Sequence, residues 1–210
     1  MRAMAFAGIV LLTVAAAPDL PDVHEGCPCP VARAANAWCD VCKVGYIGPV
    51  EVRSEYLHEV LDAHGHKLLV SSLPCPTCRK AGETDGFCEL HHTGFSGGLA
   101  YFSRLSYEIA RGTVVDPSTL TCKVCRKNAL DHGWCPRCRL GRVGNVVLRD
   151  HEAYDRVTEA IRIVRLADDM ALRCEQCAAA IVTGTECPIH RIRFKNGKPV
   201  PAEGATPPRP

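Results

Sequence analysis

Apolar residues recur at spacings of three and four in three separate stretches of this chain, the period of a helix with one buried face. SEYLHEVLDAHG (54–65) sets Leu57, Val60 and Leu61 on one side, with Ser54 as N-cap and Gly65 beyond the end. LAYFSRLSYEIARG (99–112) places Phe102, Leu105 and Ile109 before Gly112, and DHEAYDRVTEAIRIVRL (150–166) runs Ala153, Val157, Ile161 and Val164 from an Asp150 cap. Short extended runs flank these helices: VEV at 50–52, LLV at 68–70, TVV at 113–115 and NVVL at 145–148. The pattern predicts helices laid against small hairpins. From Asn196 onward NGKPVPAEGATPPRP has little to bury, so 196–210 is expected to be disordered.

Cysteine punctuates the chain between these elements. Cys27-x-Cys29 is followed after nine residues by Cys39-x2-Cys42, and Cys75-x2-Cys78 after nine by Cys88-x2-His91. Cys122-x2-Cys125 is followed after nine by Cys135-x2-Cys138, and Cys174-x2-Cys177 after nine by Cys187-x2-His190. All 14 cysteines are used, and the segments between clusters vary from 30 to 35 residues while the inner gap stays fixed. Four discrete sites on an internal repeat with a period near 50 residues account for that regularity. The fourth position alternates Cys, His, Cys, His, which points to a unit of two clusters that was itself duplicated. WCDVCKVGYIG (38–48) and WCPRCRLGRVG (134–144) are the matching pieces. Trp38 and Trp134 are read as packing lids. Gly45, Gly48, Gly141 and Gly144 are expected to turn with positive φ so that amides point at the sulfurs.

Zinc takes four thiolate or imidazole ligands in a tetrahedron, and two cysteines three apart grip it from one tight turn. The spacing therefore predicts up to four zinc ions, held by Cys27, Cys29, Cys39 and Cys42; by Cys75, Cys78, Cys88 and His91; by Cys122, Cys125, Cys135 and Cys138; and by Cys174, Cys177, Cys187 and His190. His24 is an alternative to Cys27, and His92 to His91. Disulfides are the competing reading of an even cysteine count in an exported chain. They give no reason for histidine at the fourth position, whereas zinc accepts either residue. A rubredoxin-like iron site wants four thiolates, so His91 and His190 also speak against iron.

CPTC (75–78) and CPRC (135–138) resemble the C-P-x-C turns of zinc ribbons, although those turns usually continue into Gly where Arg79 and Arg139 stand here. The fold class expected is a small α+β protein in which tandem zinc-ribbon-like β-hairpin clusters alternate with three amphipathic helices. WCDVCK (38–43) also resembles the redox site of thioredoxins, but VARAANA before it is no buried strand. Six cations, Lys43, Arg79, Lys80, Arg126, Arg139 and Arg191, stand within a few residues of ligands and are expected to offset thiolate charge.

Composition narrows the function. The chain has 210 residues, 47% apolar and 23% charged, which excludes wholesale disorder, while 6% aromatic content argues against a large conventional core. A net charge of +2 argues for no acidic partner on global electrostatics, although 121–149 holds seven basic residues against one acidic. The first residues, MRAMAFAGIVLLTVAAAPDLP, have the layout of a secretory signal peptide, with cleavage expected after Ala16. The division expected is 1–16 signal peptide, 17–43 first cysteine cluster, 44–121 helix, cysteine/histidine cluster and helix, 122–195 four-cysteine cluster, helix and final cysteine/histidine cluster, and 196–210 tail. The expected function is that of an exported, non-enzymatic zinc-binding scaffold whose partner is another protein, with no small-molecule substrate, no nucleic acid once exported, and no membrane span after cleavage. A thiol-disulfide redox or metal-handling protein is the alternative, and a zinc-ribbon nucleic-acid binder the further one if the chain is not exported.

Overall fold

The computed structural model describes residues 29–201, with the side chains of all but 130 and 131. The expected signal peptide, His24, Cys27 and residues 202–210 lie outside the described residues. The fold is small α+β, with helices α1 to α7 and several small antiparallel sheets.

Four copies of one unit follow each other. A short helix opens each: α1 (Cys29–Ala34), α3 (Pro76–Glu83), α5 (Lys123–Asp131) and α7 (Glu175–Thr183). A hairpin follows, of β1 (Trp38–Cys39), β2 (Val44–Ile47) and β3 (Val50–Val52) in the first unit, and of β4 (Phe87–Cys88), β5 (Thr93–Ser96) and β6 (Leu99–Tyr101) in the second. In the third, β7 (Thr113–Val114) joins β8 (Gly133–Cys135), β9 (Leu140–Val143) and β10 (Val146–Leu148) in the order β7-β10-β9-β8. The fourth keeps β11 (Arg193–Lys195) and β12 (Lys198–Val200). A second helix closes the first three units: α2 (Glu55–Leu61), α4 (Arg104–Ala110) and α6 (His151–Ala171).

These closing helices are the three read from apolar periodicity. Ser54, Ser103 and Asp150 cap them, accepting from the amides of Leu57, Ser106 and Glu152 at 3.1 Å each. Each cap stands 12 residues after the fourth ligand, since 42, 91 and 138 become 54, 103 and 150. The helices are thus part of the repeat rather than connectors between clusters. Residues 99–101 of the second stretch form strand β6 instead, and the third helix runs to Ala171 because Ala167 and Asp168 continue its buried face.

Three expectations are corrected. The apolar pattern predicts none of the four opening helices, which are six to nine residues long: α1, α3 and α5 carry few apolar residues apart from cysteine, and in α7 they form one unbroken run, AAAIV, rather than a stripe. LLV at 68–70 is not a strand: Leu68 and Leu69 are exposed, Val70 begins a 3-10 turn (Val70–Ser72), and the β-bridge to the neighbouring sheet is made earlier, from His66 to Ala100. The tail does not begin at Asn196, because Lys198–Val200 pairs with Arg193–Lys195 and Phe194 buries its ring in the core.

The main core joins Ile47, Val50, Val52, Leu57 and Leu61 of the first unit to Leu105, to Val143, Val146 and Leu148, and to Val157, Ile161, Val164, Ile181 and Phe194. α6 is its spine. Two polar ties fix α6 to its neighbours: Asp168 accepts from the Arg53 amide and Nε at 2.7 Å each, and buried Glu108 of α4 accepts from Arg156 Nε at 2.8 Å. Smaller clusters sit in the first two units and are built around cysteines.

Candidate metal centres

Each opening helix positions the first half of a ligand set. Cys75, Cys122 and Cys174 are N-caps with extended backbone, so the cysteine three residues on lies in the first helical turn facing back toward the cap. The Cys177 amide lies 3.4 Å from Cys174 Sγ. The second half comes from the tight turn between the first two hairpin strands, where the Cys138 and His190 amides lie 3.4 Å from Cys135 and Cys187 Sγ. The nine-residue gap is what the rest of the helix and the return strand consume.

The donor atoms then converge. Cys75, Cys78, Cys88 and His91 form one group, Cys122, Cys125, Cys135 and Cys138 a second, and Cys174, Cys177, Cys187 and His190 a third, with all donor atoms of each within 4.8 Å of one another. Cys29, Cys39 and Cys42 form a fourth group, whose expected partner Cys27 lies outside the described residues. A tetrahedron with metal–sulfur bonds of about 2.3 Å has edges of about 3.8 Å. Cys122 and Cys135 sulfurs are 3.9 Å apart, and Cys29 and Cys39 are 3.5 Å apart. His91 Nδ1 stands 3.4 Å from Cys78 and 3.7 Å from Cys88, and His190 Nδ1 3.2 Å from Cys177 and 3.6 Å from Cys187. A disulfide needs about 2.05 Å, so these sulfurs are not bonded to one another and stand at spacings that suit the edges of a metal-ligand tetrahedron. The four groups are positioned to hold metal ions.

His91, not His92, joins the second group; His92 packs edge-on against Phe87 and fills the space beside Gly184. In each complete group the two middle cysteines are buried and the last ligand is exposed. Either Cys or His therefore fits at the fourth position, since a bulkier imidazole at the rim displaces no core.

The backbone repeats more faithfully than the sequence. The residue after the fourth ligand is left-handed in every unit: Lys43 (φ 53°), His92 (48°), Arg139 (54°) and Arg191 (56°). Seven residues earlier Asn36, Asp85, His132 and Gly184 are also left-handed, as are Gly48, Gly97, Gly144 and Asn196 five residues later. The side chain at the first of these positions caps the last. The Gly48, Gly97 and Gly144 amides donate to Asn36 Oδ1 (2.7 Å), Asp85 Oδ1 (3.0 Å) and His132 Nδ1 (3.0 Å). Arg139 therefore adopts the conformation for which zinc ribbons use Gly, whereas Arg79 lies within a helix.

Gly45 and Gly141 do not turn with positive φ as expected; they admit a ring. A Cβ at Gly45 would stand 2.5 Å from His58 Cδ2, and one at Gly141 2.6 Å from Tyr154 Cδ2. Gly94 and Tyr107 repeat the arrangement. Trp38, Phe87 and Trp134 pack beside these same rings, at centroid distances of 6.1, 5.3 and 6.0 Å.

The sites' electrostatics follow their geometry. Backbone amides of Cys78 and Cys125 lower the thiols of Cys75 and Cys122 to about 6, while burial pushes Cys78, Cys125 and Cys177 up to about 12. For Cys187 burial opposes ionisation, but the His190 amide and its neighbours outweigh it and hold the thiol at about 6. Each complete group thus pairs easily ionised sulfurs with reluctant ones. Burial, followed by a hydrogen bond with Cys29, pushes the Tyr46 hydroxyl up to about 12. Three of the expected counter-cations serve elsewhere: Lys43 pairs with Asp40 (3.5 Å), Arg191 with Glu186 (3.7 Å), and Arg79 donates to the Leu73 carbonyl (2.6 Å).

Among the described residues no helix is long and apolar enough to cross a membrane. No protein-family model, curated protein or solved structure matches the chain.

Proposed function

We propose that this chain is an exported, non-enzymatic zinc protein whose four centres hold a repeat scaffold for another protein to bind. The observation that carries the reading is the convergence of four sulfur or imidazole donors, at tetrahedral edge lengths, in three complete groups. Zinc suits a chain that mixes all-cysteine sets with sets of three cysteines and a histidine, since it accepts either at the same geometry. A catalytic zinc keeps one position open for water or substrate, and full ligand sets leave none. With about 10–16 kcal/mol of apparent binding free energy per structural site, zinc makes up for the small clusters of the first two units. The apolar run of residues 3–17 supports export.

Native mass spectrometry of the purified mature protein tests all of this together. The expected result is a chain lacking residues 1–16 that carries four zinc ions and releases them in acid. A folded chain with no metal and oxidised thiols overturns the proposal.

A second reading rests on Cys75 and Cys122, low-pKa thiols at helix N-termini, each three residues from a thiol pushed up to about 12. Dithiol oxidoreductases use such pairs. Turnover of a model disulfide by the zinc-loaded protein, lost in Cys75→Ser, would favour this reading over closed structural sites.

A further inference from the structure

The third unit departs from the others inside its own core. Three residues beyond the left-handed position that follows the fourth ligand, the other units carry Tyr46, Phe95 and Phe194, all buried. Each aromatic packs in the same apolar cluster as the third cysteine of its unit: Tyr46 with Cys39, Phe95 with Cys88 and Phe194 with Cys187. The third unit has Arg142 there. It is 2% exposed, and its Nε and Nη1 have no hydrogen-bond partner. Among the described residues no carboxylate pairs with it, although every other strongly buried charge, Glu108 and Asp168, has its counter-ion.

Strand register shows which way Arg142 faces. Arg142 lies directly opposite Gly133, and Cys135 opposite Leu140, so the side chains of Arg142 and Cys135 share one face as diagonal neighbours. Neighbours of that kind have Cα atoms about 7–8 Å apart, within reach of a long side chain. The same face carries α5, because a Cβ on Gly133 would stand 2.8 Å from the Asn128 side chain. Asn128 is the second departure. It replaces Ala81 and Ala180, which stand six residues after the first cysteine in the second and fourth units, and its buried Nδ2 also lacks a partner. Two uncompensated donors, one of them cationic, thus replace apolar residues beneath a single cluster.

The chemistry of that cluster supplies what they lack. A dication with four thiolates carries a net charge of −2, and with three thiolates and a neutral imidazole −1. Zinc-bound thiolate sulfurs retain lone pairs that accept N–H hydrogen bonds, and an unpaired guanidinium is costly to bury. The two units with a histidine ligand carry phenylalanine at this position, and the first unit, whose described ligands are all cysteine, carries Tyr46, whose hydroxyl hydrogen-bonds with Cys29. We infer that Arg142, with Asn128 beside it, is the buried counter-charge and hydrogen-bond donor of the Cys122–Cys125–Cys135–Cys138 centre, and that it pairs the all-thiolate ligand set with this unit.

This inference rests on the proposed zinc reading. The test titrates a competing chelator against the full protein while native mass spectrometry counts bound zinc. Arg142→Met keeps the length and removes the charge, and Arg142→Lys keeps the charge. Arg142→Met is expected to lose one zinc at about 10–100-fold lower chelator concentration than wild type, the usual effect of removing an outer partner of a ligand. Arg142→Lys should stay near wild type. In a Cys138→His background, where the centre carries one charge less, Arg142→Met should cost much less. Equal losses in the two backgrounds, or no loss in either, overturn the inference and leave the zinc reading standing. A wild-type chain that binds no zinc at the outset sinks the zinc reading first. If Arg142→Met does not fold, Arg142→Phe, which restores the aromatic of the other units, is compared in the same two backgrounds and judged by the same outcomes.

Discussion

At the scale of single residues, the glycines separate two physical demands. Gly94 must leave room for the Tyr107 ring, whereas Gly97, at φ 57° with nothing within 4 Å, only has to adopt a left-handed turn. Gly94→Ala should therefore destabilise by about 1–3 kcal/mol through overpacking, and Gly97→Ala by about 1 kcal/mol through backbone strain, as read by thermal unfolding of the metal-loaded protein. The rings behave as buried groups in titration as well. Burial raises the pKa of Tyr107 and Tyr154, and burial with the Cys29 hydrogen bond takes Tyr46 to about 12. A raised folded value favours the native state below the unfolded value of about 10, and that contribution is lost as pH rises through the folded value. Absorbance at 295 nm during alkaline titration should show part of the tyrosine signal appearing only as the chain unfolds. A single transition near pH 10 with retained far-ultraviolet dichroism would contradict this.

At the scale of elements, the closing helices were legible and the opening ones were not. Ser54, Ser103 and Asp150 are good caps ahead of an apolar stripe, which is a local signal. Cysteine is a poor cap on propensity, and Pro76–Glu83 buries only Cys78 and Ala81, too few apolar side chains to show a stripe, so the convergence of ligands accounts for it. The caps are also unequal. Ser54 is partly exposed, whereas buried Ser103 donates to Ser106 Oγ at 2.7 Å, and Ser106 Oγ in turn donates to the Leu61 carbonyl at 2.9 Å. Ser54→Ala should cost about 1 kcal/mol and Ser103→Ala about 2 kcal/mol, in unfolding monitored by denaturant. Glu108 joins α4 to α6 with no exposure of its own, facing Arg104, Arg111 and Arg156. Glu108→Ala takes a shared acceptor from Arg111, Arg104 and Arg156, of which Arg104 keeps Glu89 and Arg156 keeps Asp150 and Glu152, and should cost about 1–3 kcal/mol in the same measurement.

For the whole molecule, the distribution of core decides what metal removal does. The clusters of the first two units are cysteines with a few neighbours, Ala32 and Tyr46 in one and Ala81, Phe95 and Ala100 in the other. The main core includes Cys177 and Cys187 of the fourth group, but it holds α6 and β10 mainly through aliphatic contacts that need no ion. Chelation should therefore release the hairpins around Cys39 and Cys88 first, while amides of 157–167 in α6 stay protected in hydrogen exchange. Uniform loss of protection along the chain would show instead that the four centres and the core form one cooperative unit.

Spacing alone picked out the three complete donor groups and three donors of the fourth, because donors that converge on one point need a constant length of chain between them. The sequence also determined the three long-stripe helices and the repeat. Tertiary structure decided that Cys75 and its counterparts cap helices, that the connecting helices belong to the repeat, and that Lys198–Val200 pairs with its neighbour. It also decided that Asn36, Asp85, His132 and Gly184 share one left-handed role. Backbone conformation tolerates several residue types at such positions, so the equivalence appears in φ and not in the letters.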